Sequence, residues 1–212
     1  MKKDNRGFSL IELVVVIAIL AILISAISVN LGLLKKYHAK ECRQMIYSSL
    51  ENGRLISLSK SSGGTTVGDT TTYLSFFKNG ADNCNYYAVV VEGEITDVKK
   101  ISKSDVTIYF GPGNTPAAAS SIDGFVCLDT YTVNTAPKNI NITKVLEAGS
   151  GGWASDIANG YRIAFNRSTG GFLKDAGGSI NLSIYANAGK YYYPVFLYRT
   201  TGKIKTGSVI IK

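Results

Sequence analysis

The sharpest chemical demand in this chain falls on Glu12. It is a carboxylate directly ahead of residues 13–34, a stretch without one formal charge. A carboxylate in such surroundings is expensive to desolvate, so Glu12 should sit near an interface or meet a positive partner. The other reactive side chains are sparse. His38 is the only histidine, and the three cysteines, Cys42, Cys84 and Cys127, show no C-x-x-C pair. Zinc and haem sites are not expected from that inventory, and no metal ligand set stands out. Hydrolysis by a Ser/His/Asp or Cys/His arrangement would have to use His38, which sits just past the apolar stretch. No G-x-x-x-x-G-K-[ST] occurs, and the acids show no calcium-loop spacing. No cofactor is implied, and the chain does not read as an enzyme. Arg199, Lys203 and Lys205, with tyrosines nearby, could supply phosphate contacts and stacking for a nucleic acid.

The elements that must carry these residues follow from hydropathy. Residues 13–34 would span about 33 Å as a helix, enough for a bilayer core. A secretory signal would be shorter and end in a small-residue cleavage site, which is missing here. Past residue 35 the pattern becomes amphipathic: Cys42, Ile46 and Leu50 with Met45 form an apolar stripe at helical spacing. Lys36, Lys40, Arg43, Glu51 and Arg54 should take the other faces. Cys42 and His38 then need no chemistry. The expectation is one helix over residues 8–60, whose second half packs on a sheet.

Ser61 to Thr66 read as a loop. Beyond it the period changes to two, in residues 106–110, 139–143, 161–165 and 179–184, with further runs at 195–199 and 208–211 around a turn-rich 200–207. Tyr191, Tyr192 and Tyr193 fit an edge strand with one buried ring. The fold class is therefore α+β: a long N-terminal helix and an antiparallel β-rich head over residues 61–212, one sheet face lying on the helix stripe. The net charge of +8 over 212 residues is scattered and suits solubility. If the head is extracytoplasmic, Cys84 and Cys127 could form a disulfide, leaving Cys42 over; three buried thiols fit equally well.

Gly7-Phe8-Ser9-Leu10-Ile11-Glu12 followed by an apolar helix resembles the signature of type IV prepilins and type II secretion pseudopilins. The resemblance covers residues 1–35. It implies that a membrane-embedded prepilin peptidase cuts after Gly7, removing residues 1–7, and that Phe8 becomes N-methylated. Gly7 leaves the backbone open to such a protease. The new Phe8 amine is a cation one turn from Glu12, and in the family this carboxylate neutralises the amine of a neighbouring subunit. Pairing the two on entering a packed fibre would relieve two desolvation penalties.

The resemblance further implies residues 8–34 as the membrane and assembly half, 35–60 as the amphipathic half, and a cytoplasmic N-terminus. Partners would be other pilin subunits through an N-terminal helix bundle, an inner-membrane assembly platform, and the membrane before assembly. The implied function is a structural subunit of an extracellular pilus supporting adhesion, motility or biofilm formation. The alternatives are a DNA-binding minor pilin or a secretion pseudopilin. Unlike many major pilins, the segment holds no proline, and Gly32 is its one strong helix-weakening residue. Residues 161–206, with Ile163-Ala164-Phe165, Gly170 and Tyr198-Arg199-Thr200-Thr201-Gly202-Lys203-Ile204, also resemble the minor-pilin and pseudopilin H group.

Overall fold

A computed structural model describes residues 9–59, 72–91, 94–112, 125–130, 160–166, 170–173 and 181–212. Good helix formers and the absence of proline let one helix, α1 (Leu10–Ser59), run for 50 residues. It is about 75 Å long, and its two halves lead different lives. From Ala39 onward the stripe is sealed: Ala39, Cys42, Ile46 and Leu50 have no exposed surface. Gly53 and Ser57 continue it by helical steps. The expected stripe is therefore observed, and it extends one turn further at its start and two turns further at its end.

Eleven described strands follow: β1 (Thr72–Lys78), β2 (Asn85–Val91), β3 (Glu94–Lys100), β4 (Thr107–Pro112), β5 (Val126–Cys127), β6 (Tyr161–Phe165), β7 (Phe172–Leu173), β8 (Leu182–Ala188), β9 (Tyr191–Leu197), β10 (Ile204–Thr206) and β11 (Ile210–Ile211). They form two antiparallel sheets rather than the single one expected. One has the order β3-β2-β1-β6-β7; the other runs β10-β9-β8-β4-β5, with β11 also pairing β9. The second half of α1 touches strands of both sheets. Leu74, Phe76, Val89 and Ile163 of the first sheet share one core with Ile108, Phe110, Ile184 and Val195 of the second and with the helix stripe. Across the gap Phe110 stacks on Tyr161 at 4.0 Å and tilts against Phe76 at 5.7 Å.

Alternation located β4 and β6, and β8 only in part, but missed β1, β2 and β3. The half-buried pattern expected of the located strands holds for β4 and not for β6 or β8, where Arg162, Ala164, Ser183 and Tyr185 are buried as well. Strands β1 and β2 are apolar on both faces, because Tyr73, Phe77, Ala88, Val90 and Ala164 build a second cluster behind the first sheet. A strand buried on both sides has no period of two to read. Two further corrections concern the C-terminal third. The stretch 200–207 contains β10, so its turn is confined to 198–203. And β9 lies between β8 and β10, not at an edge, though Tyr193 is its one buried ring of the three tyrosines. Residues 61–66 and 139–143 lie outside the described residues.

Candidate functional site

The first turn of α1 is built around the residue singled out by charge. The Ser9 N–H donates to Glu12 Oε2 at 2.8 Å, and the Glu12 N–H reaches Ser9 Oγ at 3.3 Å and the Ser9 carbonyl at 3.1 Å. This reciprocal arrangement is a capping box, which satisfies donors that a helix start leaves orphaned. Glu12 also meets the positive end of the helix dipole there. So in the single subunit its carboxylate has an internal role that charge patterning missed; Ser9-x-x-Glu12 ahead of an apolar run was the available signal. Residues 1–8, Gly7 and Phe8 among them, lie outside the described residues.

After the cap the helix presents bare hydrocarbon. Every described side chain from Ser9 to Ser25 is exposed, and Leu10 reaches 82%. Ser25 returns its hydroxyl to the Ile22 carbonyl at 2.8 Å, so this polar group needs no outside partner. Soluble monomers rarely expose so continuous an apolar surface. Among the described residues no helix is long and apolar enough to cross a membrane. Described side chains of the segment stop at Ser25 and resume at Leu31, so the span expected over residues 13–34 is not shown by them.

The other half of α1 is stapled to the head by polar side chains as well as by its stripe. Arg43 Nη1 donates to the Gly207 carbonyl at 3.1 Å, with its guanidinium 5.1 Å from the Tyr193 ring. Arg54 Nη2 donates to the Thr201 carbonyl at 3.1 Å, and the buried Ser57 hydroxyl to the Phe165 carbonyl at 3.1 Å. Both arginines were expected on faces away from the sheet; their long stems reach round to it instead. Under Arg54, Gly170 and Gly202 both adopt positive φ, and a Cβ on Gly202 would run into the Gly170 carbonyl. The Phe172 N–H donates to the Arg199 carbonyl at 3.1 Å, which ties β7 to the turn after β9. The residues grouped within 161–206 thus meet at the end of the head far from the apolar half.

Residues 2–28 match the family model described as the Prokaryotic N-terminal methylation motif. The chain carries a prepilin-type signal. It is the signal of type IV pilins and pseudopilins. The match ends within the apolar half, before any residue that packs on the head. No curated protein and no solved structure matches the chain at a significant level.

Behind the prepilin-type signal the remaining candidates are dispersed. None of the three cysteines is in a disulfide. Cys84 sits in the β1–β2 turn, its thiol 3.3 Å from the Asp82 carbonyl, and Cys127 lies on β5 opposite Tyr109, so the two are not joined. Burial in the helix stripe, helped by Glu41, pushes the Cys42 thiol far up and keeps it inert. His38 Nδ1 lies 3.0 Å from both carboxylate oxygens of Asp105 and so links α1 to the β3–β4 loop. In the β1–β2 turn, hydrogen bonds from the Tyr86 hydroxyl at 2.7 Å and then Lys100 at 2.9 Å hold the Asp82 carboxyl well below its ordinary range.

The three expected phosphate contacts do share a hairpin. Lys203 and Lys205 are exposed and Arg199 half-buried, with Lys205 Nζ 5.7 Å from the Tyr198 ring. Residues 181–212 hold five Lys or Arg and not one Asp or Glu. That local imbalance was legible in the sequence once residues 181–212 were counted by themselves.

Proposed function

We propose that this chain is a structural subunit, a type IV pilin or minor pilin. Cleavage between Gly7 and Phe8 and methylation of Phe8 would precede its assembly into an extracellular pilus that serves adhesion, surface motility or biofilm formation. Before assembly the apolar half of α1 anchors it in the cytoplasmic membrane with its N-terminus inside; afterwards the same half packs among those of other subunits. The subunit works by packing and display and not by catalysis. The observation that carries this reading is the division of α1: a prepilin-type signal and an exposed apolar half, then a half whose stripe and polar staples are committed to the head. Water does not leave such a half uncovered, and a bilayer and a helix bundle are the two surroundings that match it. Intact-mass and N-terminal peptide measurements on protein from cells should find residues 1–7 removed and Phe8 carrying one extra methyl. An uncut leader would refute the proposal.

One observation favours a second reading, a DNA-binding minor pilin. The acid-free stretch 181–212 puts Arg199, Lys203 and Lys205 on one hairpin beside Tyr198, at the end of the head away from the anchor. Phosphate contacts release counterions, so binding of DNA should weaken as salt rises, and K203Q/K205Q should flatten that slope by about two units. A gel shift at low salt with no retarded band removes this reading and leaves the pilin one standing. A pseudopilin role rests on the same signal, and neighbouring genes for a secretin and exported hydrolases would select it.

A further inference from the structure

The head has a second basic face, at the opposite end from the hairpin just described. Three contacts fix its position. A Cβ on Gly189, in the turn between β8 and β9, would lie 3.6 Å from Lys35 Cδ. The Lys212 N–H donates to the Lys190 carbonyl at 3.0 Å. His38, one turn beyond Lys35, is held to Asp105 in the β3–β4 loop, beside Lys103. The head therefore begins against the helix at Lys35, immediately after Leu31, Leu33 and Leu34, which are about half exposed.

Lys35, Lys36, Lys40, Lys103, Lys190 and Lys212 are all exposed at this end. The nearby acids are mostly engaged. Asp82 accepts from Lys100 and Tyr86, Asp105 faces His38, and Asp129 pairs with Lys78 at 2.8 Å, while Glu41 subtracts one charge. Tyrosines are interleaved with the lysines. Tyr37 is 62% exposed beside His38, Lys190 Nζ lies 5.7 Å from the Tyr191 ring, and Lys212 Nζ lies 5.6 Å from the Tyr192 ring. Tyrosines and lysines at the end of an apolar helix are the composition of a membrane–water interface, where rings rest at headgroup level and lysine stems reach the phosphates.

We propose that this end of the head is a lipid-binding collar that seats on anionic phospholipid headgroups while the subunit awaits assembly. Each lysine near a negatively charged surface strengthens attachment about fivefold, so six set close together hold the head down firmly. The collar would fix the rotation and tilt of a head that otherwise pivots on one helix. It would also make departure from the membrane depend on lipid charge. The proposal rests on the membrane-anchor reading above.

The test uses the full chain reconstituted in vesicles of phosphatidylcholine alone, or with about one-third phosphatidylglycerol, an anionic lipid. Lysine acetylation by a membrane-impermeant reagent is followed residue by residue by mass spectrometry. Lys35, Lys36, Lys190 and Lys212 should react about fivefold more slowly in the anionic vesicles, and the difference should vanish in about 1 M salt, where the Debye length is about 3 Å. Lys203 and Lys205, at the far end, should react alike in both. K190Q/K212Q, with its folding checked by circular dichroism, should lose most of the protection at Lys35 and Lys36.

Equal rates at the collar in both lipids, with the chain floating alongside both kinds of vesicle, overturn the collar and spare the anchor. Protection that is independent of lipid charge but grows with protein density marks a second copy as the occupant, and also overturns it. A chain that floats with neither vesicle removes the anchor and the collar together.

Discussion

At the scale of single residues, Glu12 has two demands on one carboxylate. Its Oε2 already caps the helix through the Ser9 N–H, and a charged partner on a neighbouring subunit would use the same group. The two roles separate chemically. Glutamine keeps an oxygen for the capping box but carries no charge, whereas alanine lacks both. E12A should lose about 1 kcal/mol of local helix stability, in the range typical of a lost cap. E12Q should keep most of it. If charge pairing drives recruitment, both variants should enter sheared fibres at least about tenfold less than the parent, equivalent to about 1.4 kcal/mol. Quantitative immunoblotting of the sheared fraction measures this, and normal incorporation of E12Q would assign Glu12 to capping alone.

At the scale of elements, the joint between α1 and the first sheet is set by a missing side chain. Gly53 lies in the buried stripe, and a Cβ there would approach Leu74 Cδ1 and Cγ at 2.8 Å. Leu74 has no exposed surface and is hemmed in by the shared core, so it cannot swing aside freely. Alanine gains about 1 kcal/mol of helix propensity over glycine, while overpacking a tight core costs about 1–3 kcal/mol. The second effect should win. G53A should lower the melting temperature by about 2–4 °C, read by circular dichroism at 222 nm. A rise would mean that helix and strand separate without penalty. Residues 42, 46 and 50 announced the stripe, and the step of seven on to residue 53 continues it. That position 53 must be glycine was not legible, because the reason is Leu74, twenty-one residues away on another element.

For the whole molecule, the structure divides near Lys35, where the change from uncharged apolar to amphipathic sequence places the boundary between the two halves of α1. The hydrogen bonds from α1 to the head come from His38, Arg43, Arg54 and Ser57, its core residues begin at Ala39, and the exposed residues before Lys35 contribute none of the core. A chain lacking residues 1–34 should therefore fold. Its melting temperature should stay within about 2 °C of that of the full chain in detergent, since surface changes are worth about 0.5 kcal/mol or less. A drop of tens of degrees would show that the apolar half supports the head. The same division explains the chain's charges. The two basic faces, one at each end of the head, look scattered in the sequence because turns 189–190 and 198–203 of a single hairpin series send them in opposite directions.

The sequence by itself determined the local chemistry. The Gly7–Glu12 signal, the long helix, its stripe and the positions of β4 and β6 all follow from residue type and spacing within a few turns of chain. Tertiary structure alone decided what depends on distant partners. It split the β residues into two sheets, because strands apolar on both faces carry no period that says which layer they join. It turned Arg43 and Arg54 toward backbone carbonyls far along the chain and left Cys84 and Cys127 on separate elements. It also gathered Lys35, Lys190 and Lys212 at the foot of the head. Their proximity comes from β9 running alongside α1, a pairing that no local pattern records.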